Sequence, residues 1–311
     1  MAVQYNNASL ATYRLDLLTP PDFNFWRTAY SHGWCDLPPF NHNVEERTLD
    51  RILRLSDGLI IACRLRGSSR HVHLRISSAR HLTEQSRREI RTQIRSCLRL
   101  DEDISAFHTA ARRYHHFRWV ARAGAGRLLR APTVFEDIVK MICTTNCSWA
   151  LTKTMVINIS REFGDPCAAG GWAFPRPDQL AGSTERVLRQ RCKTGYRAPF
   201  LLGFAELVAS GKLPVETWRR SSLSTPELYK SVCSVKGVGP YAAGNIVRLL
   251  GRYDYLALDS WVRKKFAELH TRGRKVKDST IERAFARYGE WRGLFFWLEM
   301  THEWHHEKFV A

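Results

Sequence analysis

Two features of this 311-residue chain have the residue types and spacing to do chemistry together, and both lie between Leu228 and Phe266. The first is the tetrapeptide Gly237-Val238-Gly239-Pro240. Amides around such a turn point outward at a helix N-terminus, where the helix dipole favours negative charge, so an anion such as a DNA phosphate fits there. The second is Asp259, twenty residues after Gly239. A sugar losing its glycosidic bond passes through an oxocarbenium-like state, which a nearby carboxylate stabilises. The stretch thus offers a phosphate grip and a carboxylate at fixed separation.

Both groups need elements to hold them. The sequence LYKSVCSVKGVGPYAAGNIVRLLGRYDYLALDSWVRKKF predicts helix, tight turn, helix, loop, helix. Ser224 or Thr225 suits the first N-cap, with Pro226 and Glu227 in the first turn. Gly237 and Gly239 permit backbone angles other residues resist. Pro240 suits the first position of the second helix. Ala242, Ala243 and Gly244 keep that helix narrow, and Gly251 ends it.

At this point the chain resembles a family. VKGVGPYAAGNIV followed by LALDSWVRK is similar to the helix-hairpin-helix (HhH-GPD) superfamily of DNA glycosylases, with Asp259 at the position of their catalytic aspartate. Two further stretches carry the resemblance. TTNCSW (144–149) lies where the family fills the gap left by a flipped base, and Asn146 matches an asparagine set beside the unpaired partner. Cys147, Ser148 and Leu151 depart from that pattern, so one reader of an opposite cytosine is missing. Gly195-Tyr196-Arg197-Ala198 resembles a turn whose tyrosine wedges into the base stack and whose arginine contacts the estranged base. The closest resemblance in kind is to the alkylbase and 8-oxoguanine branch.

What the resemblance implies is an α+β, predominantly helical fold. An N-terminal antiparallel sheet domain (1–100) would precede a two-lobed body, with residues 101–130 plus 256–311 in one lobe and 131–255 in the other. The implied partner is double-stranded DNA containing a damaged base, bound by a monomer. Members that also cleave the strand carry a lysine where this chain has Tyr241, so the implied activity is base release without lyase chemistry. Lys236, on the far side of the glycines, is not promoted to nucleophile. Main-chain carbonyls of Cys233, Val235 and Val238 match positions that hold a monovalent cation in the family. No other cofactor is expected. All eight cysteines precede Asp259, so the four-cysteine iron–sulfur loop that follows this aspartate in one branch is absent.

Composition agrees with a nucleic-acid partner. Lys plus Arg is 48 against 30 Asp plus Glu, a net charge of +18, which favours a polyanion through counterion release and steering. An anionic membrane surface would satisfy the charge equally. No apolar run reaches bilayer-spanning length, and MAVQYNNASL lacks a signal-peptide core. Eight cysteines without a CxxC read as reduced, placing the chain inside a cell, in a bacterial cytoplasm or a DNA-containing eukaryotic compartment.

Within the first hundred residues, ATYRLDLL (11–18) alternates as a strand, and LIIACRL (59–65) with HVHLRIS (71–77) flanks a hairpin turn. TEQSRREIRTQIRSCLRL (83–100) is an amphipathic helix with a solvated arginine face. His115-His116 reads as part of a packed aromatic helix. His302-Glu303-Trp304-His305-His306 has the H-E-x-x-H spacing of a zinc hydrolase without a third ligand after it, and reads as a surface histidine cluster.

For the base itself, Tyr241, Trp149, Trp261 and Trp297 fall on elements expected near the cleft. Aromatic walls favour stacking, most strongly on a cationic ring, which points to alkylated purines. The glutamine expected on the terminal helix of an 8-oxoguanine reader falls at Gly293. Oxidised purine is the alternative, since Asn146 and Tyr196-Arg197 match that branch. A catalytically silent DNA-binding protein using the same hairpin is the alternative of another class.

Overall fold

The computed structural model describes residues 10–307, with side chains through residue 305. Five antiparallel strands open the fold: β1 (Ala11–Leu18), β2 (Phe40–Asn43), β3 (Thr48–Arg54), β4 (Ile60–Gly67) and β5 (His71–Ser78). Their order in the sheet is β1-β5-β4-β3-β2. Alternation builds it: Leu15, Leu17, Ile61, Cys63, Leu65, Val72, Leu74 and Ile76 are buried, while Arg14, Arg64 and Arg75 pair across the outer face. The sequence reading named three of these strands and not β2 or β3. In β3 the order Leu49, Arg51, Leu53 hides the alternation, because Arg51 lies on the buried face.

Apart from one helix and a short turn inserted after β1, the helices follow the sheet in the chain. They are α1 (Phe25–Ala29), inserted after β1, then α2 (Glu84–Leu98), α3 (Ser105–Arg112), α4 (Arg118–Ala123), α5 (Val134–Thr144) and α6 (Trp149–Phe163). Next come α7 (Pro177–Ala181), α8 (Glu185–Gln190), α9 (Ala198–Ala209), α10 (Thr225–Cys233), α11 (Pro240–Leu249) and α12 (Ser260–His270). The chain closes with α13 (Asp278–Ala286), α14 (Arg292–Met300) and α15 (His302–Glu307). The fold is α+β and predominantly helical, with its one described sheet at the N-terminus.

One buried ion cluster ties the sheet to the helical body. Arg51 of β3 donates twice to the Glu136 carboxylate of α5, both at 2.7 Å, and Lys140 lies 2.6 Å from the same carboxylate. Paired charges hold Glu136 below the usual carboxylate range: burial opposes this, and Arg51 and Lys140 outweigh it. A second tie is aromatic. Phe107 and Phe117 pack on Phe295 at 5.0 and 4.7 Å, joining α3 and the turn before α4 to α14. His116 belongs to this cluster, its Nε2 3.3 Å from the Tyr288 hydroxyl, as a packed aromatic neighbour.

Candidate active site

The helical hairpin forms as its residues dictate. Ser224 caps α10, and its amide and hydroxyl both donate to Glu227 Oε2 at 2.9 and 2.6 Å. The Val238 amide closes the turn onto the Val235 carbonyl at 3.0 Å. Only one of the two glycines is needed for its backbone angle. Gly237 has φ +89, and a Cβ there would lie 2.8 Å from the Phe200 side chain. Gly239 has φ −84 and ψ 179, open to most residues, so the expectation that it serves the turn's geometry is corrected. Its position is exposed, and a Cβ there would meet nothing within 4 Å. What Gly239 provides is open approach to the N-terminus of α11.

The second hairpin helix then delivers Asp259. A Cβ on Gly244 would lie 3.1 Å from Ala257, so the small residue lets the Ala257–Asp259 loop lie against α11. Asp259 is the N-cap of α12, and one carboxylate oxygen accepts the Val262 amide at 2.8 Å. That bond fixes the side chain beside Tyr241, whose hydroxyl bonds the carboxylate.

A cleft of about 570 Å³ opens beside it. Asp259, Tyr241, Trp149, Trp261 and Trp297, the four aromatics and the aspartate singled out from sequence, all line it. Burial first, then the Asp259 charge, push the Tyr241 phenol up to about 12, so it is neutral at pH 7 and a donor. Trp261 stands 6.4 Å from Trp297 and 5.4 Å from Trp304, ring centre to ring centre. Trp149 donates to Asp36 at 3.1 Å, and its ring lies over Gly33, where a Cβ would be 2.4 Å away. No lysine lines the cleft among the described residues; Lys153, at 3.7 Å from Asp36, is held just outside that lining.

Sequence reasoning missed two parts of this lining. One is the segment after α1, which contributes Tyr30, His32, Trp34 and Asp36. Its aromatics alternate with polar residues in a stretch between prolines, which by itself signals only a loop. The other is a polar stripe on α11, Asn245 and Arg248, continuing from Tyr241 at helical spacing. That stripe was readable, because every other residue of the helix past Tyr241 is small or apolar. Arg248 is 4% exposed, its Nη2 bonds Asn245 Oδ1, and its guanidinium lies 4.5 Å over the Trp297 ring. His32 is half-buried, and desolvation holds it at about 3, so the imidazole is neutral; its Nε2 lies 2.6 Å from the Leu129 carbonyl.

Asn146, Tyr196 and Arg197 gather at a second locus beside the cleft, since Thr144 and Cys147 on either side of Asn146 both line it. Asn146 sits at φ +46, a left-handed position that asparagine tolerates better than most residues. Its Nδ2 lies 3.4 Å from the Tyr196 hydroxyl, and Tyr196 is 47% exposed. Arg197 differs from expectation. It is buried, bonds the Thr145 carbonyl and hydroxyl, and lies 4.5 Å over the Tyr196 ring. Its guanidinium fixes the Asn146 turn and the tyrosine rather than facing solvent.

The remaining positions resolve as follows. Gly293 does not line the cleft; a Cβ there would be 2.1 Å from the Tyr255 carbonyl, so no side chain fits. The His306 side chain lies outside the described residues, and His305 packs 5.0 Å from the Trp119 ring. Among the described residues no group of three metal-ligating side chains exists. The described cysteines are all free, and six of the eight are buried. No helix among the described residues is long and apolar enough to cross a membrane.

Comparison with known proteins places this geometry. No family model matches the chain. It is 24% identical over 176 residues to a DNA-3-methyladenine glycosylase of Bacillus subtilis, covering 55% of this chain and 57% of that protein, so the match spans little more than half of the relative's length. Its fold matches a 3-methyladenine DNA-glycosylase from Archaeoglobus fulgidus with a TM-score of 0.72 at 19% identity, over 94% of this chain and 98% of the other. It also matches a Clostridium acetobutylicum 8-oxoguanine glycosylase/lyase with a TM-score of 0.68 at 19% identity, over 94% and 98%. The chain is thus similar in sequence to a DNA glycosylase over part of its length and shares its fold with DNA glycosylases.

Proposed function

We propose that this chain is a DNA glycosylase that flips a damaged purine out of double-stranded DNA and hydrolyses its N-glycosidic bond, leaving the strand intact. The observation that carries the reading is the meeting of Asp259, Tyr241 and three tryptophans from separate elements in one cleft, at the end of α11 that the hairpin turn presents to phosphate. In this reading the amides at Gly237 and Gly239 grip a backbone phosphate. Main-chain carbonyls of Cys233, Val235 and Val238 hold a monovalent cation that supports the turn. Tyr196 and Asn146 occupy the gap in the stack, which offsets part of the unstacking cost of a few kcal/mol. Arg197 holds both of them in place.

The Asp259 carboxylate stabilises the developing positive charge on the sugar and orients the attacking water. Tyr241 donates beside it and supplies no amine, so no Schiff base forms at the position used by strand-cleaving relatives. Alkylated and oxidised purines both suit a cleft with tryptophan walls; stacking favours the first, and the polar stripe on α11 favours the second. The protein works as a monomer on DNA inside the cell. The test is a panel of single-lesion duplexes assayed for released base and for strand cleavage. Released base from at least one duplex, with the strand intact until alkali is added, is expected. Release from none would leave the silent DNA-binding reading.

A further inference from the structure

The cleft contains a buried cation that the proposed mechanism does not use. Arg248 lies on the same face of α11 as Tyr241 and Asn245 and lines the cleft. It is 4% exposed, and its Nη1 has no hydrogen-bond partner. A charged donor buried without an acceptor costs more than the roughly 1–3 kcal/mol of a neutral one. Such a group persists where something else supplies the acceptor. Its other contacts are made: Nη2 bonds Asn245 Oδ1, and the guanidinium rests on Trp297. Burial lowers it to about 10, so at neutral pH the charge remains.

Two consequences follow for a base in this cleft. The face of Trp297 that bears the guanidinium already holds one cation, so it gives no cation–π stabilisation to a second. A positively charged ring stacked beside Arg248 meets like charge. His32 adds no positive charge, being neutral; with Nε2–H donating to the Leu129 carbonyl, its Nδ1 is left as an acceptor.

We infer that Arg248 is the specificity-determining residue of the cleft: its Nη1 donates to an acceptor on the edge of a neutral flipped purine, and its charge excludes purines that are cationic in DNA. This rests on the glycosylase reading and names the substrate class within it. Purines with a ring carbonyl and no fixed charge, such as 8-oxoguanine or hypoxanthine, belong to that class. The ring-charged 7-methylguanine carries the same carbonyl at position 6 and is the matched control.

The experiment measures single-turnover release of 8-oxoguanine, hypoxanthine and 7-methylguanine from matched duplexes, corrected for spontaneous loss. Wild-type protein, Arg248→Met and Arg248→Lys are compared, with melting and abasic-duplex binding as folding controls. Wild type should release a neutral purine faster than 7-methylguanine. Arg248→Met should slow the neutral purine by about ten- to hundredfold, the loss of one charge-assisted hydrogen bond, while leaving 7-methylguanine unchanged or faster. Arg248→Lys keeps the charge and loses the fork, so it should slow the neutral purine and still reject 7-methylguanine; it carries the test if the methionine variant does not fold. A wild-type preference for 7-methylguanine, or an unchanged neutral-to-cationic ratio in both variants, overturns the inference and leaves the glycosylase reading standing. Release of no base by wild type overturns both.

Discussion

Asp259 has two jobs in this structure, and one substitution separates them. One oxygen caps α12 through the Val262 amide at 2.8 Å, and the carboxylate lines the cleft beside Tyr241. Asparagine caps a helix about as well as aspartate, whereas alanine at an N-cap costs about 0.5–2 kcal/mol. Asp259→Asn should therefore melt within about a degree of wild type. Asp259→Ala should melt about 2–4 °C lower for each kcal/mol lost. Catalysis should respond in the opposite proportion. A carboxylate about 4 Å from a unit positive charge contributes on the order of 4 kcal/mol at an effective dielectric of about 20. Removing that charge slows the chemical step by roughly a thousandfold. The assay is single-turnover base release from a cleaved lesion duplex, read beside melting and binding to an abasic-site analogue. Both variants should be equally slow and both should bind within a few-fold of wild type. If Asp259→Asn kept more than a tenth of the wild-type rate, the carboxylate would be a cap and nothing more.

Four other outcomes are expected. Borohydride should trap no enzyme–DNA adduct with wild type, and Tyr241→Lys should gain trapping, because burial at this position lowers an amine's pKa and frees its lone pair; trapping by wild type would bring Lys153 or Lys236 into the chemistry. Gly239→Trp should weaken binding to damaged and undamaged duplex alike in a gel-shift titration, whereas a loss confined to one lesion would contradict a phosphate role. Glu136→Ala should lower stability by about 3–5 kcal/mol in urea unfolding, since it leaves Arg51 and Lys140 buried without their shared carboxylate. Alkaline unfolding should steepen from about pH 10: Tyr241 is raised from its ordinary value to about 12, so the unfolded chain releases that proton first and the folded state loses the advantage as pH climbs through this window; Tyr241→Phe should flatten that limb.

The helical body and the aspartate were legible because their signals are local. A cap, a proline at the first helical position, two glycines and a small-residue face are read from neighbouring residues, and Ser224, Pro240 and Gly237 each do in the structure what their types predict. Tyr241 and Trp261 sit beside the hairpin turn and Asp259 in sequence, while Trp149 and Trp297 reach the same cleft from other helices. Of the two glycines only Gly237 has the backbone angle that the turn's sequence implies, and the burial of the Arg197 guanidinium on Thr145 is not visible in sequence. Whether a long side chain faces inward depends on partners distant in sequence, which no window around Arg197 contains. Arg51 is the same case: a charged residue on a buried strand face only makes sense once Glu136, 85 residues away, is beside it.

The segment from Tyr30 to Asp36 changes what the N-terminal sheet is for. Read alone, residues 1–100 look like an accessory domain attached to a glycosylase body. In the structure Trp34 donates to Asp137 at 2.8 Å, Trp149 of the helical body lies on Gly33, and Trp297 of the terminal lobe donates to the Ser31 carbonyl at 3.1 Å. One wall of the cleft is thus built by the sheet domain, and two of the tryptophans expected to stack on the base are oriented by it. Lys140 of the buried cluster donates to the Leu37 carbonyl at 3.2 Å, one residue past Asp36, and so ties that wall to α5. Displacing the cluster leaves charges buried and unpaired, so it resists movement of that wall. The width of the cleft is therefore set partly by residues outside its lining.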